Sequence, residues 1–147
     1  MTLFTIGFTK KTAEEFFETL KKNKVKLVVD VRLNNRSQLA GFTKDRDLRY
    51  FLDKICTAQY IHCEEYAPTK DLLDRYHKKT TSWDEYVTEY RNIMENRKVC
   101  EKFMDRFSYA DRVCLLCSET TPEQCHRRLL AEMIKEKNEG AVSIIHL

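Results

Sequence analysis

The sequence predicts an α/β fold: a three-layer, mostly parallel, Rossmann-like sheet of about five strands, with helices on both faces and a helical insert after the third strand. Three observations predict it. Short apolar or β-branched runs alternate with longer segments whose apolar residues recur at helical spacing. One run, Lys26 to Val31, is almost continuously apolar, as in a strand covered on both faces. The 147 residues are 42% hydrophobic with three Gly and two Pro, enough for one core and too few breakers for long irregular stretches.

The elements follow in order. Leu3 to Ile6 is a short apolar run ended by Gly7 and reads as a buried strand. Lys11 to Asn23 places Ala13, Phe16, Phe17 and Leu20 on one helical face, with Thr12 as N-cap and Glu15 closing a capping box. Lys26 to Val31 is the second strand. Asp45 to Cys56 returns to helical spacing through Leu48, Phe51, Leu52 and Ile55, and Tyr60 to Cys63 is a third strand. After Pro68, helices are expected over Leu72–Lys79 and Trp83–Phe107. Arg112 to Cys117 is a fourth strand and Pro122 to Lys137 a helix. Gly140 stops that helix, and Val142 to Leu147 closes the sheet. No repeat or linker interrupts the pattern, so one α/β domain is expected over 1–147.

Charge excludes little. The net charge is +3, with a pI near 8.5. A dedicated duplex binder carries a more concentrated basic patch. The opening Met-Thr-Leu-Phe-Thr-Ile-Gly lacks the basic region and cleavage site of a signal peptide. No apolar run approaches the roughly 18–20 residues that span a bilayer. A cytoplasmic address and no membrane partner are therefore expected, with the six cysteines as thiols.

Ligands of open parallel sheets bind outside the carboxyl ends of the strands. The second strand ends there at Asp30 and Arg32, on one face, as a ligand-binding pair or a structural ion pair. Ser37 follows in a polar stretch. The third strand ends at His62, better placed for function than His77 or His146, although a satisfied core histidine is the plainer reading. The fourth ends at Cys117-Ser118-Glu119. Beyond it, Thr121-Pro122-Glu123-Gln124 reads as N-cap, first-turn Pro and capping-box Gln. That places Cys125-His126-Arg127 in the first two turns of a helix, where free N–H groups favour an anion and lower a thiol pKa. Cys114 and Cys117 form a Cys-x-x-Cys, but residues three apart on a strand face opposite ways. Cys56, Cys100 and Cys114 read as small core residues, and the Trp83–Tyr90 aromatic stripe as helix core.

The chain resembles, end to end, the family known as domain of unknown function 488 (DUF 488). The matching segments are Thr5-Ile6-Gly7, Val29-Asp30-Val31-Arg32, Ser37-Gln38-Leu39-Ala40-Gly41-Phe42, Tyr60-Ile61-His62, Ala67-Pro68-Thr69-Lys70 and Trp83-Asp84-Glu85-Tyr86. The most specific is Leu115-Leu116-Cys117-Ser118-Glu119 with Cys125-His126-Arg127-Arg128. The resemblance implies a small cytosolic α/β domain. It also implies a shared site of Cys117, Glu119, Cys125, His126 and Arg127 with Asp30, Arg32 and Ser37, and no settled activity. The chain departs from the family at Cys63-Glu64, where Leu-Pro is common, and at Phe8, where many relatives have His.

The expected function is an enzyme acting on a small anionic, nucleotide-like ligand. Cys125 or Cys117 serves as thiolate, Glu119 and His126 move or orient protons, and Arg127 with Arg32 neutralises the anion. One alternative is a non-catalytic nucleic-acid or nucleotide-binding module using Arg32, Arg36, Ser37, Lys44 and Arg127. The other is a structural zinc site at Cys117, Cys125 and His126. No cofactor is assigned, and zinc enters only through that second alternative.

Overall fold

The computed structural model of the protein describes residues 1–36 and 41–147, so the expected ligand-binding residue Ser37 lies outside the described residues. Five strands, β1 (Thr2–Gly7), β2 (Leu27–Asp30), β3 (Gln59–His62), β4 (Arg112–Cys117) and β5 (Ser143–His146), form one sheet. Their order is β3-β2-β4-β1-β5, and every pairing is parallel. Among the described residues six α-helices surround it: α1 (Ala13–Lys22), α2 (Asp45–Phe51), α3 (Lys70–His77), α4 (Trp83–Arg97), α5 (Phe103–Phe107) and α6 (His126–Lys137). A π-helical turn, Leu52–Cys56, continues α2.

The pleat sorts the core into two layers. Phe4, Ile6, Val28, Cys114 and Leu116 face Phe16, Phe17 and Leu20 of α1, with Leu48 and Leu52 beside them. Leu3, Leu27, Val29, Val113, Leu115 and Cys117 face the other way. They pack against Leu72 of α3, Tyr90 and Met94 of α4, Phe103 of α5 and Leu129 of α6. The insert after β3 thus belongs to the second helical layer. Cys114 and Cys117 lie on opposite faces, as strand geometry dictates.

The capping box at α1 forms as its sequence predicts. Thr12 Oγ1 accepts from the Glu15 N–H at 3.1 Å, and the Thr12 N–H donates to the Glu15 carboxylate at 2.8 Å. Thr12→Ala removes the first bond, so a loss of about 1 kcal/mol in urea-unfolding stability is expected. An unchanged urea midpoint would show that the cap is idle.

Two helices differ from expectation. The helix expected over Trp83–Phe107 breaks after Arg97, where Lys98 adopts the left-handed conformation at φ 54°. That residue turns the chain as a C-terminal glycine would, and the turn buries Val99 and Cys100 before α5 begins. The helix expected from Pro122 begins only at His126.

β4 runs between β2 and β1, and its last residue, Cys117, pairs in register with Gly7. The carboxyl end of the sheet's middle strand therefore carries a sulfur. No helix among the described residues is long and apolar enough to cross a membrane.

Candidate functional site

The junction after β4 is pinned from two sides. The Ser118 carbonyl accepts from the Thr9 N–H at 3.1 Å and from Thr9 Oγ1 at 2.6 Å. The Glu119 carbonyl accepts from Arg127 Nη1 at 2.6 Å. Glu119 can lie there only because residue 7 is glycine: a Cβ on Gly7 would stand 1.6 Å from the Glu119 carbonyl oxygen. Arg127 therefore binds the backbone of Glu119, while the Glu119 side chain is exposed.

Cys125 is the N-cap of α6, in extended conformation and without a side-chain cap bond. The expected Thr121–Gln124 capping box does not form. Gln124 Oε1 instead accepts from the Tyr76 hydroxyl at 2.9 Å, a partner 48 residues away. Residues 118–125 stay outside regular structure. His126 and Arg127 open the first turn of α6, both buried.

This places Cys117, Cys125 and His126 together. Their ligand atoms lie within 4.8 Å of one another. Cys117 Sγ is 3.7 Å from His126 Nδ1 and 3.9 Å from Nε2. His126 Nε2 donates to the Val31 carbonyl at 2.8 Å, which fixes the ring from the neighbouring strand end. Arg127 Nη1 lies 3.6 Å from Cys125 Sγ. Among the described residues, Nε and Nη2 of this fully buried guanidinium meet no acceptor.

The six thiols divide sharply. Burial pushes Cys63 and Cys100 each up to about 12, and raises Cys56 and Cys114. Cys117 alone is held well below the usual thiol value. The Cys125 thiol donates to it, and the His126 imidazole and the Glu119 N–H add to the effect and outweigh burial. Cys125 keeps its proton and is raised, because the Cys117 sulfur and burial oppose a second charge. Burial pulls His126 down, but the Cys117 charge beside it prevails and the imidazole is raised. The arrangement favours charge on the Cys117 sulfur through a thiol and an imidazole, with a buried guanidinium behind the thiol.

A cavity of about 190 Å³ opens beside these groups. Cys117, Cys125 and His126 line one wall, with Ser118 and Glu119. Pro68, Leu73, Tyr76 and Tyr86 form an apolar wall, and Arg32, Leu33, Asn34, His77 and Gln124 complete the lining. Sequence reasoning missed Pro68, Leu73, Tyr76 and Tyr86 as site residues. Tyr86 belongs to the aromatic stripe that reads as core, and its pocket-lining role comes only from packing α4 against the β4 exit.

The other expected residues form a neighbouring network. Arg32 donates from Nε to Asp30 Oδ1 at 2.9 Å and from Nη2 to Asp30 Oδ2 at 2.7 Å, and Nη2 also donates to the Thr43 carbonyl at 2.7 Å. The pair is buried, with Asp30 further accepting from the Tyr60 hydroxyl at 2.6 Å. Asp30 and Arg32 form a buried ion pair, and Arg32 also lines the cavity. His62 Nε2 donates to the Arg32 carbonyl at 2.7 Å and lines no part of the cavity. Arg127 also lies outside the lining, so neither guanidinium faces the cavity as an uncommitted cation.

Cys117, Cys125 and His126 are the only metal-competent group of this kind among the described residues. Their ring geometry favours a different pairing. A sulfur on the axis of the Nδ1 lone pair would stand well over an ångström farther from Nε2 than from Nδ1. The near-equal distances place Cys117 Sγ beside the ring, off that axis. A metal joining the sulfur to Nδ1 along its lone pair would require the ring or the Cys117 side chain to turn.

A model of the family described as Domain of unknown function DUF488 matches residues 12–134. No curated protein and no solved structure matches the chain.

Proposed function

Because the chain belongs to the DUF488 family, whose description carries no activity, we propose from its own geometry that it is a thiol enzyme with Cys117 as the nucleophile. One observation carries this reading: Cys117 Sγ, the single thiol of six held low, forms part of the wall of a cavity large enough for a small molecule. A thiolate is the reactive form of cysteine, and catalytic thiols are kept ionised by such neighbours. His126 orients and balances the charge, with its ring fixed by Val31. Cys125 keeps its own proton beside that charge. Arg127 is a positioning residue, tying the Glu119 carbonyl so that the Glu119 N–H reaches Cys117.

The ligand of this reading is a small electrophile with an apolar portion against Tyr76, Tyr86, Pro68 and Leu73. An anionic ligand draws less support, since Arg32 is spent on Asp30 and Thr43 and Arg127 lies off the cavity.

Iodoacetamide labelling against pH tests the reading. Cys117 has a depressed pKa, so its thiolate and its labelling rate persist below the ordinary thiol range near 8.5 and fall only as pH drops through the depressed value. Cys56, half-buried and raised, should label by the opposite rule. At pH 6.5, Cys117 should outpace Cys56 by about tenfold or more despite its greater burial, each pH unit of pKa difference being worth about tenfold. Peptide mapping that finds Cys56 ahead would remove the nucleophile.

A further inference from the structure

The cavity wall holds two sulfurs, and the thiolate reading uses only one as nucleophile. Cys125 Sγ lies within 4.8 Å of Cys117 Sγ, and both line the same cavity. The two residues are joined by Ser118–Gln124, a connection without helix or strand. A disulfide needs sulfurs about 2.05 Å apart with a specific dihedral angle. Cys117 ends β4 and Cys125 precedes α6, so rotation of the two side chains and a small shift of the irregular connection on the Cys125 side can supply that closure. Cys63 and Cys100 are buried in the core and line no part of this cavity.

We propose that Cys117 and Cys125 are a dithiol–disulfide couple that reduces a small-molecule disulfide bound in the cavity, with Cys117 attacking and Cys125 resolving. This rests on the thiolate reading above and adds its substrate class. In the first step the Cys117 thiolate attacks one sulfur of the substrate. The Cys117–substrate S–S bond forms, the substrate S–S bond breaks, and the leaving sulfur departs with the bonding electron pair and takes a proton from solvent. In the second step Cys125 gives up its proton and attacks Cys117 Sγ. The Cys117–Cys125 bond forms, the mixed disulfide breaks, and the second substrate thiol leaves with that proton. The substrate gains two electrons and becomes two thiols, while the protein dithiol loses two electrons. A dithiol reductant restores it by the reverse exchange.

The surroundings fit this chemistry. The attacking thiol is the ionised one, and the resolving thiol holds its proton until the first charge is spent. The volume of about 190 Å³ admits a small disulfide but not a folded protein's disulfide loop. The apolar wall of Tyr76, Tyr86, Pro68 and Leu73 suits the weakly polar S–S group and its carbon neighbours.

The test treats the reduced full-length protein with bis(2-hydroxyethyl) disulfide, then quenches by acid and maps peptides without reduction. In wild type a Cys117–Cys125 link should appear, with two equivalents of mercaptoethanol released. In Cys125→Ser the reaction should stop at the mixed disulfide on Cys117, with release of the second thiol slowed by roughly a hundredfold or more, the scale expected when an intramolecular partner is lost. A parallel sample receives hydrogen peroxide. A wild-type adduct that persists on Cys117, a Cys125→Ser protein that resolves as fast as wild type, or a link formed only with peroxide would each overturn the proposal. So would stoichiometric zinc in protein purified without added metal, since ligated sulfurs do not exchange in this way. Low-pH labelling of Cys117 without the link sinks this inference alone. Failure of that labelling sinks the thiolate reading with it.

Discussion

Asp30→Ala is expected to cost about 3–5 kcal/mol, the usual price of stranding one partner of a buried ion pair. The Arg32 guanidinium it would abandon is 3% exposed and, among the described residues, has Asp30 as its only acidic partner. The carboxylate also takes the Arg32 N–H at 3.1 Å and the Tyr60 hydroxyl at 2.6 Å, so one deletion leaves several donors without an acceptor. Against a total stability of roughly 5–15 kcal/mol, such a loss brings the domain near unfolding at room temperature. Urea melts read the effect directly. The double variant Asp30→Leu with Arg32→Met removes both charges and should recover most of the loss, since apolar replacement of a buried pair is often neutral. A single variant costing under about 1 kcal/mol would show that the pair is hydrated or dispensable and that Arg32 is available to a ligand after all.

Gly7→Ala is the second large effect, and it reaches the site through the backbone. The new Cβ would fall 1.6 Å from the Glu119 carbonyl oxygen, 2.7 Å from its carbonyl carbon and 2.9 Å from Arg127 Nη1. Two of these neighbours are main chain and cannot swing aside. Either β1 and β4 separate at Gly7 and Cys117, or residue 119 moves and gives up its bond to Arg127. Overpacking of this kind costs about 1–3 kcal/mol or more. The more telling readout is chemical. With Glu119 displaced, Cys117 loses one of the donors that holds it ionised, and its labelling profile should move toward that of an ordinary thiol. A variant with wild-type stability and an unchanged profile would separate Gly7 and the Glu119 backbone from the reactivity of Cys117.

Local and periodic signals were readable in advance. The unbroken apolar run of β2 identifies a strand covered on both sides, and Leu27–Asp30 is buried throughout. The Thr12–Glu15 spacing places the start of α1 at the right residue. Cys117, Cys125 and His126 were also foreseeable, because a short strand-to-helix connection must return its two ends to one edge of the sheet. Long-range choices were not readable. Gln124 has the right spacing for a capping box, but Tyr76 takes its side chain, so α6 starts four residues late. Arg127 looks like a partner for an anion, yet its bond goes to a carbonyl whose position depends on Gly7, 120 residues earlier in the chain. Tyr86 has the spacing of a core residue and serves as one, while its ring also closes the cavity. Periodicity reports which face of a helix is apolar, and it is silent on whether that face meets another side chain or an opening.

The place of β4 in the sheet has a further consequence for the sulfur it carries. β4 has a hydrogen-bonded neighbour on each side, whereas β5 is a rim strand with Ser143, Ile145 and His146 exposed. Rim strands fray in small, frequent openings, and inner strands exchange their amides only when the whole structure comes apart. Cys117, the proposed nucleophile, thus ends an inner strand rather than a rim strand. Amide exchange should therefore be slower along β4 than along β5.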